Sequence, residues 1–239
     1  YEADPQTVAN LDALERLAKT TEETETFVDV VRARAEALPY VSSERHELRV
    51  RAAEFVSTTA RDRTRVVAAW RAVLDEKPDS RRALEALEQH YMRQGDARAL
   101  VDVGRQIAGL VEDVGERAAK LCAAAVLLDE RLGDRAGAAR IYEQVRMLLP
   151  GDGRALGRLD AIYSEARSYE ALARVLRERI AHTTGRERAL LCLRVGQLEL
   201  GSLHDPRAAL VSFSEALGAG ADVAGGAYDG SIHAIGELI

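Results

Sequence analysis

Apolar residues recur at i, i+3, i+4 and i+7 over stretches of about 14 residues along almost the whole chain. This spacing places them on one face of an α-helix, whereas a half-buried strand would alternate apolar and polar positions. The pattern therefore predicts an all-α protein of about 13 helices. We expect them at residues 5–19, 23–37, 44–58, 62–76, 79–93, 96–112, 116–131, 135–148, 153–165, 168–182, 186–200, 205–218 and 224–238.

Short stretches between these helices carry the residues that end one helix and begin the next. Gly95 and Gly133 are each followed by an aspartate, which is the pairing of a helix stop with an N-cap. Pro78 and Pro150 follow two other helices, where a proline cannot continue the helix. These residues support the boundaries placed between the predicted helices.

The helices belong to an internal repeat with an offset of about 70–73 residues. The first columns are Pro78, Leu84, Leu87, Tyr91, Leu100 and Val103, which recur at +72 as Pro150, Leu156, Leu159, Tyr163, Leu172 and Val175. A second set, Asp62, Val66, Trp70 and Val73, recurs as Asp134, Ala138, Tyr142 and Val145 and again as Asp205, Ala209, Phe213 and Ala216. The repeat divides the chain into segments 1–43, which is incomplete, 44–115, 116–185 and 186–239.

Half of this offset is about 36, which is close to the tetratricopeptide (TPR) repeat of about 34 residues. Ala138, Tyr142, Val145 and Pro150 reproduce the small residue, aromatic residue, alanine-like residue and proline of that repeat's second helix. The chain thus resembles the TPR family, with degenerate repeats paired into a super-repeat of about 70–72 residues. The resemblance implies one right-handed α-solenoid of antiparallel helix pairs over residues 1–239.

The chain departs from the family pattern at two positions of the first helix. The family's tryptophan is replaced by Val50, Leu84, Cys122 and Leu156. Its glycine beside the tight helix contact is replaced by Glu54, Glu88, Val126 and Asp160. Pro5 aligns with Pro78, so the sequence opens at the last residues of a repeat, and we expect it to be part of a longer array.

The charge of −6 is spread along the chain with no strongly basic segment, which argues against a nucleic-acid partner. No run of about 18 apolar residues is present, so we expect no membrane span. No leader is visible, and we expect a cytoplasmic location. The five histidines lie in different repeats of about 36 residues, and Cys122 and Cys192 fall in core columns, so we expect no metal, no cofactor and no catalysis.

By the same resemblance, the partner is a protein or peptide bound in a concave groove that the first helices line. The residues predicted to line this groove are Arg51, Phe55, Arg82, Glu85, Gln89, Lys120, Leu127 and Arg154. Because Arg82, Lys120 and Arg154 fall in one column, we expect a peptide or helix of acidic character. Alternatively, these three basic side chains form ion pairs with acids of the adjacent repeat within the same chain. The alternatives for the function are a sensory or regulatory domain that binds a small molecule or peptide, and an enzyme accessory subunit.

Overall fold

The computed structural model of the chain describes residues 5–21, 23–60 and 62–220. This part of the chain is all-α, without a strand, as the periodicity predicts; the helix expected at 224–238 lies outside it. Its twelve helices are α1 (Pro5–Thr21), α2 (Thr24–Glu36), α3 (Ser43–Thr59), α4 (Arg63–Glu76), α5 (Arg81–Gln94), α6 (Ala97–Leu110), α7 (Val114–Val126), α8 (Arg135–Leu148), α9 (Gly153–Glu165), α10 (Tyr169–Ala181), α11 (Gly185–Gly201) and α12 (Pro206–Gly220).

The helix ends follow the local signals in the sequence. The carboxylates of Asp96 and Asp134 accept the backbone N–H three residues later, which caps α6 and α8. Gly95 and Gly133 precede these caps with φ of 70° and 66°, a left-handed conformation that glycine adopts without steric cost. The predicted helix at 116–131 differs from the structure, because α7 passes at Leu127–Arg131 into one π-helical turn.

The chain divides into two compact units, one up to Val111 and one from Glu112 onward. Within each unit, every helix packs against the next one along the chain. Two residues separate α5 from α6 and three separate α9 from α10. Packed neighbours joined by such short turns must run antiparallel, so each unit is a stack of helix hairpins. A single continuous solenoid over residues 1–239 stays a prediction.

The repeat columns form the cores of both units. In unit 1 the rings of Phe27 and Phe55 lie 4.3 Å apart between their centroids, and Trp70 is buried. In unit 2 the small residue beside each aromatic is buried with it. These pairs are Ala138 with Tyr142 and Ala209 with Phe213. A small side chain lets two helix backbones approach, and the aromatic ring fills the space beside the contact.

Candidate functional site

The predicted groove residues of α3 are engaged with other parts of unit 1. Arg51 extends toward α1, where its Nη2 lies 2.5 Å from Asp12 Oδ1 and 2.7 Å from Glu15 Oε2. Phe55 is 2% exposed and packs against Phe27. The expectation that Phe55 lines a surface is therefore wrong, because its ring fills the core between α2 and α3.

The predicted groove residues of α5 lie at the surface. Arg82 Nη2 is 2.6 Å from Glu54 Oε1 of α3, and Arg82 Nη1 is 3.5 Å from Glu47 Oε2. Glu85 accepts a hydrogen bond from Arg81, and Gln89 is exposed. Arg82 thus pairs with acids of the preceding helix pair. This is the alternative to partner binding that the sequence left open for the column of Arg82, Lys120 and Arg154.

Lys120, Leu127 and Arg154 belong to unit 2. Lys120 and Leu127 are half-buried, and Leu127 begins the π-helical turn. Arg154 is exposed and lies 3.4 Å from Asp152, the N-cap of its own helix. The predicted column of Arg82, Lys120 and Arg154 contains residues of both units, and it stays a prediction.

Carboxylates at the family's glycine position hold arginines of the following helix pair. Glu54 pairs with Arg82, and Asp160 pairs with Arg194. The Asp160 side chain is 10% exposed and also accepts a hydrogen bond from Arg179 Nη1 at 2.6 Å. At these two positions, a charged contact therefore links one first helix to the first helix of the next pair.

Two ionised clusters of unit 1 shift the pKa values of their members. The Arg45 guanidinium lowers the pKa of Glu76, whose oxygens lie 2.8 and 3.1 Å from its nitrogens. Burial alone would raise the pKa of Glu15, but hydrogen bonds from Lys19 and Arg51 outweigh it and the pKa lies below its ordinary value. Both carboxylates are thus held ionised at neutral pH.

A cleft of about 940 Å³ lies within unit 1 between α4, α5 and α6, and we call it the unit-1 cleft. Its apolar lining includes Leu74, Leu87, Tyr91 and Val103. Its polar lining consists of Arg71, Asp75, Asp79, Asp96, Arg98, Asp102 and Gln106. No residue of this cleft was among the predicted groove residues, which in unit 1 lie on α3 and at other positions of α5.

Unit 2 carries a cleft of about 860 Å³ beside Tyr163, the repeat equivalent of Tyr91, and we call it the unit-2 cleft. It lies between α8, the end of α9 and the turn that precedes α10. Tyr163 donates a hydrogen bond to Glu143 at 2.9 Å, whereas Tyr91 accepts one from Arg71 at 3.3 Å. Burial and the bond to Glu143 raise the pKa of Tyr163 to about 12.

Reactive side chains do not converge in the described part of the chain. No three His, Cys, Asp or Glu side chains there lie close enough together to hold a metal ion. Cys122 and Cys192 are buried and free, and burial raises the pKa of both thiols. Burial also lowers the pKa of His46 and His90.

Over the described ranges, none of the helices combines the length and the apolar character needed to cross a bilayer.

The sequence matches no family model and no curated protein sequence. Solved structures similar to this chain include three TPR proteins. YrrB, a TPR protein with an unusual peptide-binding site, is 12% identical, with a TM-score of 0.36, covering 79% of this chain and 91% of its own. A TPR protein from Parabacteroides merdae is 12% identical, with a TM-score of 0.38, covering 95% and 99%. TTC0263, a thermophilic TPR protein in Thermus thermophilus, is 15% identical, with a TM-score of 0.32, covering 81% and 98%.

The peptide-binding site of YrrB is a property of that protein. The TPR-like character of the present chain lies in its own helix hairpins and in the buried columns of small and aromatic residues. The described part of the chain is thus a TPR-like helical repeat protein.

Proposed function

We propose that the chain is a non-catalytic protein-interaction scaffold that binds a peptide or helix of another protein. The observation that carries this proposal is the pair of open clefts, one within each unit, lined by apolar and polar side chains together. Their volumes lie near the upper end of the range of small-molecule pockets, about 300–1,000 Å³. A cleft that is both large and open suits a segment of polypeptide better than an enclosed small molecule.

The surface of the first helices is a second region for a partner, as the family resemblance implies. Gln89 is exposed on α5, and Glu85 on the same helix is exposed but paired with Arg81. An acidic partner at Arg51 would have to displace Asp12 and Glu15, which already bind that guanidinium. Displacing charges that are already paired returns little free energy, so the proposal does not depend on an acidic partner.

Position-specific photocrosslinking in the source cells tests the proposal. A benzophenone amino acid is introduced separately at Gln89 on α5, at Gln106 in the unit-1 cleft and at Gln144 in the unit-2 cleft. Glu170, which is exposed on α10 outside both clefts, provides the control position. Mass spectrometry then identifies proteins attached at each position.

We expect one protein to crosslink from at least one of the three test positions and not from Glu170. An excess of purified, unlabelled chain should compete with this product, because a specific surface saturates. If every position yields the same proteins, or none yields a product that the unlabelled chain removes, the scaffold proposal is rejected.

A further inference from the structure

We propose that the unit-1 cleft binds a cationic amphipathic segment of a partner protein. This inference rests on the proposed scaffold function and names the class of segment that one of its clefts accepts. The segment would present apolar side chains to the floor of the cleft and lysine or arginine side chains to its rim.

The length of the cleft matches a short piece of polypeptide. Its lining on α6 runs from Arg98 to Leu110, about 18 Å at about 1.5 Å per residue. Leu74 and Leu110 are partly exposed along it, and Leu87 and Val103 form deeper parts of the floor. An apolar stripe of this length fits about three turns of helix or a shorter extended segment.

The rim of the cleft carries negative charge that the protein does not neutralise. In the described part of the chain, the carboxylates of Asp75, Asp79 and Asp102 form no hydrogen bond and no ion pair. Arg71 is bonded to the Tyr91 hydroxyl, and Arg98 is the other cation of the lining. The four aspartates of the lining outnumber its two arginines, so the cleft complements a basic segment.

Apolar surface also continues beyond the rim. The Tyr40 hydroxyl donates a hydrogen bond to the Asp75 carbonyl at 3.2 Å, which holds the turn between α2 and α3 beside the cleft. In that turn Val41 is 94% exposed and Tyr40 is 60% exposed. An exposed valine and tyrosine next to an acid-rimmed cleft enlarge the surface that an amphipathic segment can cover.

At the equivalent columns of unit 2, an ion pair joins α8 to α10. Arg146 Nη1 lies 2.7 Å from Glu178 Oε2, and Glu178 Oε1 accepts the backbone N–H of Gly151 at 3.2 Å. The His182 ring covers Gly151, where an added Cβ would come within 2.7 Å of it. We call the ion pair the Arg146–Glu178 bridge.

The bridge is missing from unit 1 because its residues differ at the same repeat columns. At an offset of −72, the residues that correspond to Arg146, Gly151, Glu178 and His182 are Leu74, Asp79, Gln106 and Leu110. A leucine and a glutamine cannot form the ion pair that joins α8 to α10. The other two rim acids, Asp75 and Asp102, correspond to Met147 and Arg174, so none of these three rim aspartates has an acid at its repeat equivalent in unit 2.

Fluorescence anisotropy with a designed probe tests the inference. The probe is a labelled peptide of about 15 residues, long enough for about 22 Å of helix, with leucines at helical spacing and lysines at the other positions. A second peptide carries glutamate in place of every lysine. We expect the lysine peptide to bind saturably, with affinity falling as salt rises, and the glutamate peptide not to bind.

Two variants examine the cleft and one is the control. Leu74→Arg with Gln106→Glu recreates the unit-2 bridge without changing the net charge, and should abolish binding of the lysine peptide. Replacing Asp75, Asp79 and Asp102 by Asn should weaken binding about tenfold, from three exposed ion pairs. The control removes three acids of unit 2, by Glu112→Gln, Glu116→Gln and Glu170→Gln, and should leave the affinity unchanged. Far-UV circular dichroism establishes that each variant is folded.

The inference is overturned if the lysine peptide shows no saturable binding up to about 1 mM, or if the bridge variant binds it as the unchanged chain does. It is also overturned if the control weakens binding as much as the aspartate variant, since the attraction would then be non-specific. Each of these results leaves the scaffold proposal standing wherever crosslinking from Gln89 or Gln144 still identifies a partner. A failure of crosslinking at all three positions rejects the scaffold itself.

Discussion

Replacing Asp160 by alanine should destabilise unit 2 by about 2 kcal/mol, through the loss of a largely buried charged cluster. Asp160 Oδ2 accepts hydrogen bonds from Arg179 Nη1 at 2.6 Å and from Arg194 Nη1 at 2.8 Å, and its Oδ1 accepts one from Arg194 Nη2 at 2.7 Å. The substitution removes these three charged hydrogen bonds at once. It separates α9 from arginines of both α10 and α11.

The magnitude follows from how much of each partner reaches water. Removing one member of a fully buried pair costs about 3–5 kcal/mol, because the other charge is left without compensation. Here Arg179 and Arg194 are 26% and 44% exposed, so their guanidinium groups recover part of their hydration. Alanine also favours the helix by up to about 0.7 kcal/mol relative to aspartate. Both effects reduce the expected loss to about 2 kcal/mol.

Urea unfolding followed by far-UV circular dichroism measures this loss, because the chain's single tryptophan, Trp70, lies in unit 1. Glu170→Ala, at an exposed position of α10, is the matched control and should change the free energy of unfolding by less than about 0.5 kcal/mol. A double-mutant cycle with Arg194→Met should give a coupling of at least about 1 kcal/mol. A loss for Asp160→Ala no larger than that of the control would refute the reasoning.

Three further predictions concern pH, packing and the thiols. The Arg45 contact lowers the pKa of Glu76 below its ordinary 4.5. The ionised carboxylate therefore stabilises the fold fully above about pH 4.5, and this stabilisation is lost as the pH falls through the lowered pKa of the folded chain. Glu76→Gln should remove this part of the pH dependence of the free energy of unfolding, measured by urea unfolding. Gly196→Ala should cost about 1–3 kcal/mol, because a Cβ would come within 2.4 Å of the Phe213 ring, and Phe213→Leu should recover part of that loss in the same assay. Both cysteines should react with a thiol reagent slowly in the native chain and completely in urea without reductant, and fewer than two reactive thiols in urea would contradict the assignment of free, buried side chains.

The helices and their order could be predicted because their signals are local. Apolar spacing, aspartate N-caps and the glycines at Gly95 and Gly133 each act within one or two turns of the chain. The predicted ends of α8 and α9 agree with the structure to the residue. The π-helical turn at Leu127–Arg131 was not predicted, because the apolar spacing indicates only a helix that continues to residue 131.

The site residues were harder to predict because each depends on a partner far away in the sequence. Phe55 was assigned to the groove by the family resemblance, and its burial became evident only from its contact with Phe27 in the folded chain. Arg82 could be identified as one member of a charge column, but its pairing with Glu54 requires the stacking of α5 on α3. A sequence signal for the unit-1 cleft exists in the repeat, since Asp102 stands where the later copy has Arg174.

The sequence alone determined the class of fold, since a repeat made of amphipathic helices can bury its apolar faces only by stacking helix pairs. Tertiary structure decided which charged side chains pair with one another and which remain available to bind a partner. Arg146 and Glu178 are 32 residues apart and come within hydrogen-bond distance only in the folded chain. Leu74 and Gln106 stand at the same repeat positions in unit 1 and cannot form an ion pair. Periodicity reports which face of a helix is apolar, but the interaction between two charged groups depends on their distance and exposure in the folded chain.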